Sequence, residues 1–172
     1  MFKILKLLLG GRKRPSRSQN DAPQESAWLT WKSYDYPPAA PDGFVKLTAA
    51  TDVAVAGTSY RLAECKIVIS ALKGGRVEAA AIDLVREENN VEHPNAVGVF
   101  AKLRHRECHI GYLPSDVADM IAHDFTPDMT LKAALREWGQ KKSGDAVFFR
   151  ISLFVPNAKD RKKFIRTQEK SQ

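Results

Sequence analysis

Three apolar runs lie close together in the middle of the chain: "RVEAAAIDLVRE" (76–87), "AVGVFAKL" (96–103) and "CHIGYL" (108–113). The polar loop "NNVEHPNA" joins the first two, and the turn "RHRE" joins the last two. Strand-like runs with connections this short form consecutive hairpins, so residues 76–113 predict an antiparallel meander. The remaining elements must pack around that meander. The first connection also poses a functional question. It holds asparagines, a glutamate and a histidine, and its one large aliphatic side chain is Val91, so it reads either as a turn or as a loop that holds a ligand.

Further elements follow from local pattern. "DVAVAGTSY" (52–60) alternates and is β-branched, which predicts a strand. In "RLAECKIVISALKGG", Leu62, Cys65, Ile69 and Leu72 recur at helical spacing, and Gly74-Gly75 supplies a stop. Pro114 breaks the third strand, and Ser115 reads as the N-cap of a short helix that turns Val117, Met120 and Ile121 inward. "MTLKAALREWG" (129–139) fits either element: Leu131, Leu135 and Trp138 suit a helix, while Leu131, Ala133 and Leu135 suit a strand. "GQKKSGD" is a turn, and "AVFFRISLFV" (146–155) is the strongest strand signal. Asn157 then caps a basic terminal helix with Asp160 in its first turn.

The sum is a mainly β domain of about six strands with two or three short helices. Antiparallel β of this size most simply closes as a small barrel. The apolar share of 44% is enough for a core. The barrel occupies residues 44–156, between a basic, linker-like segment (1–43) expected to lack fixed structure and a basic tail (157–172). Trp28, Trp31, Tyr34 and Tyr36 are the residues that would pin part of that linker onto the domain.

The net charge of +7 suggests nucleic acid, but its distribution qualifies that. Residues 1–20 carry +6 and residues 157–172 carry +4, which leaves −3 for residues 21–156. Phosphate attraction would therefore come from the tails or from local patches. The opening "MFKILKLLLGGRKRPSRS" falls far short of the roughly 20 apolar residues of a membrane span and has no evident signal-peptide cleavage site. It reads as a frayed tail, an interfacial anchor or a basic arm. Two cysteines are too few for a disulfide scaffold, which favours a reduced, cytoplasmic setting. "HRECH" tempts a zinc reading, yet Cys108 and His109 point to opposite faces of a strand, so neither metal nor cofactor is expected. No serine, cysteine or carboxylate pair has a plausible catalytic partner, so no enzymatic activity is expected either.

Three blocks then occur in order: "VAVAGTSYR", "LVREENNVEHPNAVGVF" and "IGYLPSDVADMIA". Together they resemble the HIRAN domain. That family shows a strand ending in G-x-x-Y, then L-x-R-E/D-x-x-N-x-x-D-P-N-A-V-x-V, then I-G-Y-L-P opening a helix. The matching positions are Gly57 and Tyr60; Leu84, Arg86, Glu87 and Asn90; Pro94, Asn95, Ala96 and Val97; and Ile110, Gly111, Tyr112, Leu113 and Pro114. The likeness spans roughly residues 52–123.

The resemblance implies a small barrel related to OB and SH3-like folds that binds single-stranded DNA, notably a free 3′ end, in DNA repair or processing. Family members are often fused to DNA-remodelling ATPases and also occur alone in bacteria. This chain has no GxxxxGK[ST] loop, so the resemblance implies a binding module, with a separate ATPase or nuclease as a possible partner. By the same resemblance Tyr60 stacks on a base, and Asn90 lies near the ligand.

The chain departs from the family at Ser59, where an arginine is common, so that phosphate contact is either lost or moved to Arg61. It departs again at Glu92-His93, where the family places an aspartate that accepts from a terminal 3′-hydroxyl. An imidazole accepts too, but it takes a proton near pH 6.5. This predicts weaker discrimination of a 3′-hydroxyl against a 3′-phosphate, and weaker still at low pH.

Residue chemistry fills in the rest of the expected site. Tyr112 and Ser115 stand where a helix N-terminus can hold phosphate, although Asp116 competes there. Asn95 reads as a loop-shaping residue. Lys102, Arg104, Arg106, Lys141 and Lys142 read as a solvated face, or as the rim of a groove if they share a mouth with Tyr60. The expected DNA-binding set is Tyr60, Arg61, Asn90, His93, Tyr112, Ser115 and Lys102. The alternatives are a protein-interaction barrel without DNA binding and a membrane-surface adaptor acting through the first 20 residues.

Overall fold

The computed structural model describes residues 28–34, 39–50, 52–74, 81–127 and 129–160. The N-terminal segment 1–20, Tyr36 and the continuation of the terminal helix lie outside these, as do the side chains of Trp28 and Trp31.

Eight strands form one antiparallel sheet: β1 (Trp28–Ser33), β2 (Phe44–Lys46), β3 (Val53–Ala54), β4 (Ala81–Arg86), β5 (Val97–Leu103), β6 (Arg106–Tyr112), β7 (Lys132–Lys141) and β8 (Val147–Pro156). Among the described residues, helices α1 (Leu62–Lys73) and α2 (Ser115–Asp124) and a 3-10 turn at Thr48–Ala50 accompany the sheet. The meander β4-β5-β6 is present as expected.

β7 and β8 pair along most of their length and form the spine of the sheet. The other edge of β7 is divided between β4, at Ala133 and Ala134, and β1, at Glu137–Lys141. The other edge of β8 is divided between β2, at Phe154–Pro156, and β3, at Arg150 and Ile151. Among the described residues the sheet therefore starts at residue 28, well before Phe44. Tyr34 packs against the core directly after β1.

Continuous strand pairing does not close the sheet into a barrel. The path runs β2-β8-β7-β4-β5-β6 and stops at β6. One isolated bridge, Ala56 with Tyr112, ties β6 to the segment that follows β3. The segment expected to be a strand over 52–60 pairs with β8 only at Val53 and Ala54, and turns from Gly57 onward.

The ambiguous segment 129–139 is a strand from Lys132 onward, and a bulge in it explains the ambiguity. Leu135 faces Ile151 and Glu137 faces Arg150, so Arg136 is an extra residue. That insertion puts Trp138 on the same face as Leu135, and both side chains are buried. A bulged strand thus reproduces the i, i+4, i+7 spacing of a helix.

The core lies between the sheet and α1, which buries Cys65, Val68, Ile69 and Leu72 along one stripe. Those side chains meet Val99, Ala101, Cys108, Ile110, Phe149 and Ile151 from the strands. Helix α2 begins one residue earlier than expected. Pro114 occupies the cap position, Ser115 is the first helical residue, and no side chain caps the helix. Ala118 and Ile121 are its buried residues, with Val117 and Met120 partly buried beside them. Arg86 holds the other end of α2 by donating to the carbonyl oxygens of Phe125 and Thr126, each at 3.2 Å. At the end of β8, Asn157 does cap the next helical turn: its Oδ1 accepts from the Asp160 amide at 2.9 Å.

Candidate nucleic-acid interface

The loop between β4 and β5 is built by Asn90. Its Oδ1 accepts from the backbone amides of Glu92 and His93, both at 3.0 Å. Its Nδ2 donates to Glu87 Oε2 at 2.7 Å. This is an Asx-type arrangement that fixes the loop from within. The residue expected to do this, Asn95, instead donates to Asp119 Oδ1 on α2 at 2.7 Å and pins the loop to the helix. Asn90 thus shapes the loop, a role expected of Asn95, because the side chain that comes before the turn reaches the amides beyond it.

Between this loop, the end of β6 and the start of α2 lies a pocket of ≈ 260 Å³. Asn90, Glu92, His93, Tyr112, Leu113 and Ser115 line it, with Ala96 and Ala118 behind them. Four of the seven expected binding residues therefore meet in one cavity. Val91 at the loop tip is fully exposed beside it, at 99%.

His93 is the half-buried wall of this pocket. Its Nε2 lies 3.6 Å from Asp119 Oδ1, while its Nδ1 is buried and has no partner among the described residues. Tyr112 forms the other wall, and its hydroxyl donates to Glu87 Oε2 at 3.4 Å. Glu87 thus receives both the loop, through Asn90, and the wall, through Tyr112. His109 packs behind Tyr112, edge-on at 4.7 Å between ring centroids, and stacks on Phe100 at 4.4 Å. Its Nε2–H donates to the Gly111 carbonyl at 2.9 Å. Burial and the nearby Arg61 guanidinium push the His109 pKa down, so the ring is neutral at pH 7. Gly98 makes room for this cluster: a Cβ there would sit 2.8 Å from the Phe100 ring and 3.3 Å from Glu87 Oε1.

The other expected residues lie around or away from the pocket. Ala56 exchanges two backbone hydrogen bonds with Tyr112, at 2.8 and 2.9 Å, so the turn 57–61 starts at the pocket wall. That turn carries Tyr60, which is 91% exposed, and Arg61, which precedes α1. Both flank the pocket without lining it. Lys102 lies elsewhere. It pairs with Asp83 near the far end of β5, five residues along the strand from Val97, or roughly 17 Å. Arg104 and Arg106 are at that far end too, so the hairpin cations do not rim the mouth beside Tyr60. In "HRECH", Cys108 is buried in the core and His109 lies on the opposite face, stacked on Phe100, while His105 is exposed in the turn.

Three residues of the site were missed from sequence: Glu87, His109 and Asp119. Glu87 carried a signal, since it stands in the block that resembles the family. Asp119 carried none, because only the packing of α2 brings it to His93.

Fold and site together define a small antiparallel β domain with a loop-lined pocket flanked by an exposed aromatic turn. The HIRAN domain model matches residues 49–152, and the chain belongs to that family of OB-like, nucleic-acid-binding modules. A crystal structure of a protein from Lactobacillus plantarum is similar over 65% of this chain and 96% of that one, with 20% identity and a TM-score of 0.40. No curated protein matches the chain. No helix among the described residues is long and apolar enough to cross a membrane.

Proposed function

We propose that the chain binds single-stranded DNA at its 3′ end, with the terminal nucleotide in the pocket between His93, Tyr112 and Ser115. The observation that carries this reading is the convergence of Asn90, His93, Tyr112 and Ser115 on one cavity. Each wall offers chemistry suited to a nucleotide. Tyr112 presents a ring and Tyr60 an exposed stacking surface beside it, and such stacking contributes about 1–3 kcal/mol per base. The buried, unpartnered Nδ1 of His93 is costly unless a ligand or water satisfies it. The first amides of α2, at Ser115, lack intrahelical acceptors and suit a phosphate oxygen. Arg61 supplies a cation next to the same turn. Asn90 acts indirectly, by holding the loop, and Lys102 has no part in the site.

In this reading the chain acts by binding alone, in the cytoplasm, and hands DNA ends to a separate ATPase or nuclease during repair. The test is fluorescence anisotropy of the full chain, since β1 belongs to the sheet, with labelled single-stranded, blunt duplex and 3′-blocked oligonucleotides. Tight binding of the single strand that weakens with a 3′ block and with Tyr112→Ala is expected. Equal affinity for all three ligands, unchanged by Tyr112→Ala, would sink the reading.

A further inference from the structure

A second concavity lies at the other end of the β5–β6 hairpin. It holds ≈ 730 Å³ and is lined by Lys66, Ile67, Ser70 and Ala71 of α1 and by Leu103, Arg104, His105 and Arg106 of the hairpin. The HIRAN pocket is formed where β5 begins and β6 ends, so the two sites are separated by the length of the hairpin, roughly 20 Å.

The groove is amphipathic. Ile67 and Leu103, both partly buried against the core, form its floor with Ala71. Lys66, Arg104 and Arg106 are exposed at its walls, and no acidic side chain lines it. Of the nearby acids, Glu64 on α1 acts on Cys108, as Arg106 does, but does not line the groove. Glu107 stands opposite Lys102 in the β5–β6 register, and both alternate to the opposite face of the strands from Leu103 and Arg106. Among the described residues no carboxylate lies within ion-pair distance of Lys66 or Arg104.

The chemistry of the groove selects its occupant. Residues 1–20, at +6, and residues 157–172, at +4, are excluded by charge, and residues 21–27, although they carry Asp21 and Glu25, offer no apolar side chain larger than alanine or proline for the floor. A single-stranded nucleic acid needs aromatic platforms, and no Phe, Tyr or Trp lines the groove. A phosphate backbone also gains nothing from an aliphatic floor. A peptide with apolar side chains for the floor and carboxylates for the walls satisfies both surfaces, and a groove of this size takes one or two apolar anchors. We propose that the groove between α1 and the β5–β6 hairpin is a docking site for a short acidic amphipathic segment of a partner protein. Both sites could then be filled at once, which would place a partner protein on a chain holding a DNA end.

The test uses the full chain and a fluorescein-labelled peptide of repeated Glu-Leu-Leu-Glu units, with poly-glutamate of equal length and an oligothymidylate as controls. The amphipathic peptide should bind at least about tenfold more tightly than poly-glutamate, because burial of even two leucines outweighs 1.4 kcal/mol. Arg104→Glu, a substitution in an exposed turn, should abolish peptide binding and leave oligothymidylate binding unchanged. Tyr112→Ala should leave peptide binding unchanged. Equal affinity for poly-glutamate would reduce the groove to a charged surface and overturn the proposal. Displacement of the peptide by oligothymidylate, or loss of oligothymidylate binding in Arg104→Glu, would assign the groove to nucleic acid and overturn it too. A chain that binds no oligonucleotide but binds the peptide would refute only the DNA-end reading.

Discussion

His93 on the β4–β5 loop and Asp119 on α2 face each other, with Nε2 and Oδ1 3.6 Å apart. The same carboxylate oxygen accepts from Asn95 at 2.7 Å. The aspartate that the family motif places directly before Pro94 is therefore absent from the loop, while a carboxylate reaches the same neighbourhood from the helix. With the terminal nucleotide in the pocket as proposed, this carboxylate bears on end selectivity. A fixed negative charge beside the pocket opposes a terminal phosphate even with an imidazole in the loop. Asp119→Asn should narrow the preference for a 3′-hydroxyl over a 3′-phosphate by about tenfold, since it removes one charge at short range. Anisotropy with the two oligonucleotides on both proteins measures this, and an unchanged ratio would count against any role for Asp119 in the site.

Tyr60 and Lys102 should behave in opposite ways to what their charges alone suggest. Tyr60 is 91% exposed, so Tyr60→Ala removes almost no packing and should leave the melting temperature unchanged. Its loss should nonetheless weaken single-strand binding by about 5- to 150-fold if it stacks on one base. Lys102→Ala removes a cation, but one paired with Asp83 far along β5. Its effect on affinity should stay within about twofold at physiological salt, where distant exposed charges are screened. Titrating both variants against one oligonucleotide separates stacking from bulk charge.

What could be read from sequence was whatever depends on neighbours in the chain. The meander follows from run length and turn length, and α1 from apolar spacing, so both were legible. The loop pocket was legible because its blocks carry their residues in a fixed order. Elements that depend on tertiary pairing were not. β1 and β2 are short strands that exist because β7 and β8 are long enough to offer each an edge. The Arg136 bulge made β7 resemble a helix. Barrel closure was expected from strand count, but β3 is only two residues long, and its extension meets β6 at one bridge. Lys102 was assigned by charge, and only the register of β4 with β5 shows how far it lies from the loop.

His109 should give the domain a pH-dependent stability. Burial and the Arg61 cation lower its pKa, with Glu87, Glu64 and the hydrogen bond to Gly111 acting weakly in the other direction. In the unfolded chain an imidazole titrates near pH 6.5, so below that value the unfolded state binds the proton more readily than the fold does. The contribution of the neutral ring is thus fully present above about pH 6.5 and is lost as pH falls through the lower folded value. His109→Phe keeps a ring between Phe100 and Tyr112 but cannot titrate. The stability advantage of the wild type over this variant should shrink between pH 8 and pH 5, as read by thermal melts across that range. An advantage that grows on acidification would contradict the assignment.

The bridge that ties β6 to residues 53–56 depends on a glycine. Gly111 has φ +146°, where side chains are rarely tolerated, and its Cα faces the Ala56 carbonyl so closely that a Cβ would lie 2.2 Å from that oxygen. A bulge in the β5–β6 pairing produces this conformation: Val99 faces Gly111, Phe100 faces His109, and Ile110 is extra. The bulge turns Ile110 into the core and lets His109 donate to the Gly111 carbonyl. Gly111→Ala should therefore strain the backbone and push the 53–56 segment away from Tyr112. The expected cost is about 3 kcal/mol from strain and overpacking, or roughly 6–12 °C in melting temperature for a domain of this size. Because Tyr112 is a wall of the pocket and the Tyr60 turn hangs from the same bridge, oligonucleotide affinity should fall even at temperatures where the variant is fully folded. Chemical denaturation gives the first quantity and anisotropy well below the melting point gives the second. A variant destabilised as expected but with wild-type affinity would show that the Tyr60 turn and the pocket do not act as one surface.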